Sequence, residues 1–161
     1  MAWDWKVFCK ETTTGDIIAG CFGKGGDQTY LNWILSAWGW TLTVSLSALV
    51  VALVAGLVMG TLRTLPDNPW LVRLANAWVE LFRNIPLLVQ IFLWYFVMPE
   101  IVPETLGNWL KTEYPNLITL PFAQFSLWEF TAAVLCLGLY TASRVAEQVR
   151  AGIESLPKGQ T

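Results

Sequence analysis

The chain has 161 residues, of which 55% are hydrophobic and 14% charged, with ten Trp, no His and a formal charge of −2. A soluble domain carries roughly 25% charged residues, so this composition, with its mean hydropathy of +0.48, points to a membrane. Without an imidazole, a Ser-His-Asp triad, a Cys-His pair and every His-ligated metal site are excluded, and the charge balance gives no basic footprint for nucleic acid.

The first segment, residues 1–33, is polar and is read as external. Met1 to Cys9 lacks a basic stretch followed by an apolar one, so a cleaved signal peptide is not indicated. Cys9 and Cys21 form no CxxC pair with each other or with Cys136. A Cys9–Cys21 disulfide is open to them in an oxidising compartment, with two free thiols the favoured reading. Gly20, Gly23, Lys24, Gly25 and Gly26 lack the spacing and the preceding strand of a phosphate loop, and read as an exterior loop.

Between Asp27 and Arg63 there is no charged residue. About 20 apolar residues cross a bilayer, so residues 34–62 are predicted to be the first transmembrane helix. Ala48, Ala52, Gly56 and Gly60 recur at every fourth position, a small-residue stripe that lets another helix approach closely. Residues 63–83 follow as an amphipathic segment. Asp67 and Asn68 precede Pro69 as a helix start, then Leu71, Leu74, Trp78, Leu81 and Phe82 recur at helical spacing opposite Arg73, Asn76, Glu80 and Arg83. This predicts an interfacial helix running into the second span, with a bend at Pro86 and an ion pair between Glu80 and Arg83.

The second span, 84–102, is uncharged until Glu100, and the third, 126–146, is uncharged from Phe130 to Ser143. Residues 103–125 form the loop between them. Arg63, Arg73 and Arg83 in the first loop, and Arg144, Arg150 and Lys158 after the third span, place both on the cytoplasmic side. The N-terminus and the loop 103–125 then lie outside. The fold class predicted is all-α, a membrane protein of three transmembrane helices with a cytoplasmic interfacial helix.

Thr141, Ser143, Arg144, Glu147 and Arg150 lie within three turns, and Glu147 is spaced to reach both Arg144 and Arg150. An ionisable residue within a membrane helix is a candidate functional group. The residues alone also fit an Arg144 that snorkels to water and pairs with Glu147. No paired carboxylates or metal-binding motif indicates covalent catalysis, so transport is the activity expected and no cofactor is implied.

VELFRNIPLLVQIFLWYF (79–96) and LGLYTASRVAEQVRAGIESLPKGQ (137–160), about a quarter of the chain, resemble the transmembrane subunit of polar amino-acid ABC importers. Within that family the resemblance is strongest to the glutamate/aspartate permeases. It implies five helices per subunit in a bacterial inner membrane, with the N-terminus outside. It also implies partner ATPase subunits in the cytoplasm, a second permease subunit and an external substrate-binding protein, for which the acidic loop from Pro99 to Phe125 is the candidate surface. In such permeases the segment resembling GIESLPKGQT leads into an EAA loop that docks on the ATPase. Gly152, Pro157 and Gly159 match that approach, and the sequence stops at Thr161 before the coupling element and helices four and five. The acidic-substrate branch further implies that Arg144 clamps a side-chain carboxylate, with Gln90 and Thr141 as hydrogen-bonding neighbours. The rival readings are a membrane assembly or interaction protein working through the small-residue stripe, a non-transporting fragment, and a small channel.

Overall fold

The computed structural model describes residues 4–21, 29–109, 119–120, 123–124 and 127–156. The chain divides into two compact units, one of Met1–Thr43 with Ile118–Gln124 and one of Val44–Leu117 with Phe125–Thr161.

The first unit opens with a 3-10 turn at Trp5–Cys9, capped by the Asp4 carboxylate on the Lys6 amide. A disulfide joins Cys9 to Cys21, replacing the two free thiols favoured by the sequence. Their separation is closed by backbone pairing: the Ile18 amide donates to the Cys9 carbonyl and the Glu11 amide to the Asp16 carbonyl. Gly15 and Gly20 turn this segment at positive φ, where a glycine carries no steric penalty. Thr29 ties the segment to the first helix, its hydroxyl donating to the Cys21 carbonyl and accepting from the Asn32 amide. The Glu11 carboxylate accepts from the hydroxyls of Thr13 and Thr14, which hold it below the ordinary carboxylate value. Two residue pairs, β1 (Thr119–Leu120) and β2 (Ala123–Gln124), make a short antiparallel ladder in this unit.

Helix α1, Tyr30–Leu62, forms because 33 residues pass without a charge or a proline. Its buried residues are Ala48, Ala52, Gly56 and Gly60, while Leu46, Leu49, Val50, Leu53, Val54, Leu57 and Val58 are exposed. Among the described residues it is the helix long and apolar enough to cross a bilayer. The pair Pro69–Asn84 and Leu87–Ile101, bent by 102°, passes the same test as a second broken span.

Helix α2, Pro69–Asn84, starts on Asn68, whose backbone rather than side chain caps it, with Pro69 pre-set in the first turn. It stops at Ile85, which is extended because a following proline disfavours the helical region. The face turned to the protein carries Ala75 and Val79, while Trp70, Leu74 and Leu81 point outward. Small side chains let helices approach, and large apolar ones have a low-cost environment in lipid.

The chain then runs through α3 (Leu87–Phe92), a widened π-helical turn at Leu93–Val97, and α4 (Met98–Ile101), followed by α5 (Glu104–Asn108). Pro86 and Pro99 each lack an N–H, which orphans the carbonyls four residues earlier, at Phe82 and Tyr95. Side chains take up both: Gln90 Nε2 donates to the Phe82 carbonyl at 2.9 Å and Trp128 Nε1 to the Tyr95 carbonyl at 3.4 Å. The π turn is therefore the local answer to a proline inside an apolar run.

Helix α6, Leu127–Glu154, extends well past the expected end of the third span at residue 146, because Glu, Gln and Arg are good helix formers. It packs on α1 through reciprocal glycines: Gly56 and Gly60 receive Val145 and Val149, and Gly138 receives Val51. Contacts advance together along both helices, so α1 and α6 run parallel. The intervening segment runs the other way, since Arg83 meets Glu147, the Leu87 carbonyl faces Cys136 and Tyr95 meets Trp128 and Glu129.

Candidate functional site

The charged end of the second unit gathers side chains from α1, α2 and α6. Arg63 directly follows the last apolar turn of α1, and its side chain folds back and is only 5% exposed. Its Nε donates to Asn76 Oδ1 of α2 at 2.6 Å, and its Nη1 lies 3.1 Å from Glu147 Oε1 of α6. Arg83, at the end of α2, donates to the same Glu147 oxygen at 2.6 Å. One carboxylate thus sits between two guanidinia from different helices. Partial burial pushes the Glu147 carboxyl up. Arg63, followed by Arg83, more than offsets this and holds it below the ordinary carboxylate value.

This arrangement differs from the expected pairings. Glu147 bonds neither Arg144 nor Arg150, and Arg83 bonds Glu147 rather than Glu80, which is exposed. Arg150 pairs with Glu154 at 2.7 Å, a bond that raises its pKa. Arg63 and Arg83, from neighbouring helices, both take the same Glu147 oxygen, while Arg150 finds Glu154 one turn further along α6.

Arg144 is exposed and pairs with no carboxylate among the described residues. Its guanidinium lies over the Tyr140 ring, 5.4 Å from the centroid, and donates to the Tyr140 hydroxyl at 3.0 Å. An aromatic hydroxyl one turn away orients the fork without neutralising it. Arg83, Arg144, Glu147, Gln148 and Ala151 line an open cavity of about 470 Å³. Thr141 is exposed three residues from Arg144, with its main chain in α6.

Gln90 is 4% exposed, and both of its recorded bonds go from Nε2 to backbone, the Phe82 and Ile85 carbonyls at 2.9 Å each. It braces the bend at Pro86 and keeps a buried amide oxygen without a hydrogen-bond partner. Gly152 lies near the end of α6, while Pro157 and Gly159 fall outside the described residues, as do Gly23, Lys24, Gly25 and Gly26. Among the described residues no cluster of His, Cys, Asp or Glu is arranged to hold a metal.

Sequence reasoning missed Arg63 as a site residue, along with Asn76, Tyr140 and Gly138. Arg63 counted only as a topological charge. The available signal was its position immediately after an uncharged helix, where a guanidinium must either reach water or find a carboxylate.

No family model and no solved structure matches the chain. Among curated proteins, it is 44% identical over 159 residues to the glutamate/aspartate import permease protein GltJ of Escherichia coli K12, covering 98% of this chain and 56% of that protein. It is 31% identical over 121 residues to the glutamate/aspartate import permease protein GltK of E. coli O6:H1, covering 75% of this chain and 47% of the relative. The arginine transport system permease protein ArtQ of Bacillus subtilis is 28% identical over 127 residues, covering 79% and 48%. The chain spans about half the length of these relatives. By sequence it belongs with the permease subunits of amino-acid ABC importers, over the half of their length that it spans.

Proposed function

We propose that the chain supplies part of the translocation path of an ATP-driven importer for the acidic amino acids glutamate and aspartate, in a bacterial inner membrane. The observation that carries the reading is the 44% identity to GltJ along 98% of the chain. Three spans are proposed, with the N-terminus outside. The directions of the helices support this, since α1 and α6 run parallel and the segment 84–102 returns between them. From Trp128 to Glu147 α6 rises roughly 28 Å, close to the thickness of a hydrocarbon core. Arg63, Arg83, Arg144 and Arg150 gather at one end and Glu129 at the other, the distribution expected of a cytoplasmic and an external face.

In this reading an external binding protein delivers substrate to the face bearing the loop 103–125. The ATPase subunits and a second permease subunit complete the machine, and nucleotide binding on the ATPase drives alternating access. The chain itself hydrolyses nothing. Arg144 clamps the side-chain carboxylate through its planar fork, with Thr141 and Gln90 as hydrogen-bonding neighbours along the path. Residues 147–161, with Gly152, Pro157 and Gly159, form the approach to the ATPase.

The test exchanges these 161 residues for the matching part of GltJ in E. coli cells lacking GltJ. Labelled glutamate uptake is expected to be restored. Arg144→Ala is expected to cut it about tenfold or more, the worth of a charge-assisted contact, with the membrane level of the protein unchanged. Unchanged uptake in that variant removes the clamp. A scaffold that works through the small-residue stripe predicts that same indifference.

A further inference from the structure

Arg63, Arg83, Arg144 and Glu147 bring three positive charges and one negative together at one end of the second unit. The two guanidinia on Glu147 Oε1 are not equivalent. Arg63 is buried and held on its other side by Asn76. Arg83 is 46% exposed, has no second hydrogen-bond partner among the described residues, and opens onto the cavity it shares with Arg144. Glu147 therefore gives up Arg83 without becoming an unpaired charge, because Arg63 stays. Arg83, once released, faces the same space as an Arg144 that has no carboxylate of its own.

We propose that Arg83 and Arg144 together form a two-guanidinium carboxylate site and that Glu147 is its resident carboxylate, displaced from Arg83 when a carboxylate ligand enters. Two forks that converge on one open cavity match the geometry in which carboxylates are held bidentately. The surplus of positive charge means that an incoming carboxylate neutralises the cluster rather than crowding it. The exchange also has a mechanical result. The Arg83–Glu147 bond links α2 to α6, so ligand arrival loosens that link while Arg63 keeps α1 and α6 joined. The identity of the ligand as glutamate rests on the function proposed above; the exchange itself does not.

The experiment measures equilibrium binding of labelled glutamate and of succinate to the full chain in nanodiscs of neutral phosphatidylcholine. Arg83→Gln and Arg144→Gln are each expected to weaken glutamate about tenfold or more. Glu147→Gln removes the competitor and is expected to tighten it severalfold. Should that variant fail to fold, Glu147→Asp, one methylene shorter and still paired with Arg63, is expected to tighten binding in the same direction. Binding that is indifferent to Arg83→Gln, or that weakens in the Glu147 variants, overturns the proposal while leaving the acidic-substrate reading standing. Succinate showing the expected pattern and glutamate none upholds the exchange and removes that reading. If neither carboxylate binds, and in a second set of discs containing phosphatidylglycerol only that lipid responds to Arg83→Gln and Arg144→Gln, the cluster is a lipid-headgroup site and the proposal falls.

Discussion

Glu147 is where α1, α2 and α6 are held together by charge, and its protonation state sets how firmly. Its carboxyl lies below the ordinary value because two guanidinia outweigh the cost of partial burial. A depressed carboxylate contributes stability that is complete above its unfolded pKa and is lost as pH falls through the folded one. Thermal unfolding in detergent is therefore expected to show a wild-type advantage over Glu147→Gln that is constant near neutrality and shrinks progressively once the pH falls below the ordinary glutamate value of about 4.3. An advantage unchanged down to pH 3 contradicts the ion-pair account. The sequence makes Glu147 and Arg144 visible as charges in or beside an apolar helix. It does not reveal their partners, because spacing along one helix offers only neighbours on that helix. Arg83 lies 64 residues from Glu147 and reaches it through tertiary packing alone.

At the scale of elements, α1 was legible from its lack of charge and the bend at Pro86 from the proline itself. The π turn at Leu93–Val97 was not, nor was the contact from Trp128, on another helix, to the Tyr95 carbonyl within it. Helix α6 continues to Glu154, beyond the apolar run, because a change from apolar to charged residues marks where a membrane stops, not where a helix stops. The α1–α6 contact yields a sharp test. A Cβ on Gly56 stands 2.6 Å from Val145 Cβ, so Gly56→Ala is expected to cost about 1–3 kcal/mol as overpacking. Val145→Gly in the same chain, which removes both the Cβ and the Cγ1 that the added methyl meets, should recover part of that loss, a favourable coupling in a double-mutant cycle. Gly39, with nothing within 4 Å of its added Cβ, is the control and is expected to tolerate Ala. Helix propensity favours Ala over Gly at both positions, so an equal response at Gly56 and Gly39 contradicts the packing account.

For the whole molecule, the Cys9–Cys21 disulfide bears on orientation independently of the arginines, because such bonds persist in oxidising compartments. In intact cells, a membrane-impermeant maleimide is expected to label the chain only after an impermeant reductant has opened this bond, with buried Cys136 unreactive. Labelling that requires permeabilised cells contradicts an external N-terminus. The topology was legible only as a count of apolar runs and loop charges, because direction is set by which helices touch. Membership in the importer family was legible in the two motifs, since they are long and contiguous, whereas the convergence of Arg63 and Arg83 on Glu147 needed the fold. The central claim is that these residues line part of an ATP-driven path for acidic amino acids. Its most direct test is glutamate accumulation in proteoliposomes containing the GltJ exchange with its ATPase, second permease and binding protein. Accumulation above the external concentration that stops without ATP is the expected result; equilibration indifferent to ATP, or none from a fully assembled complex, contradicts it.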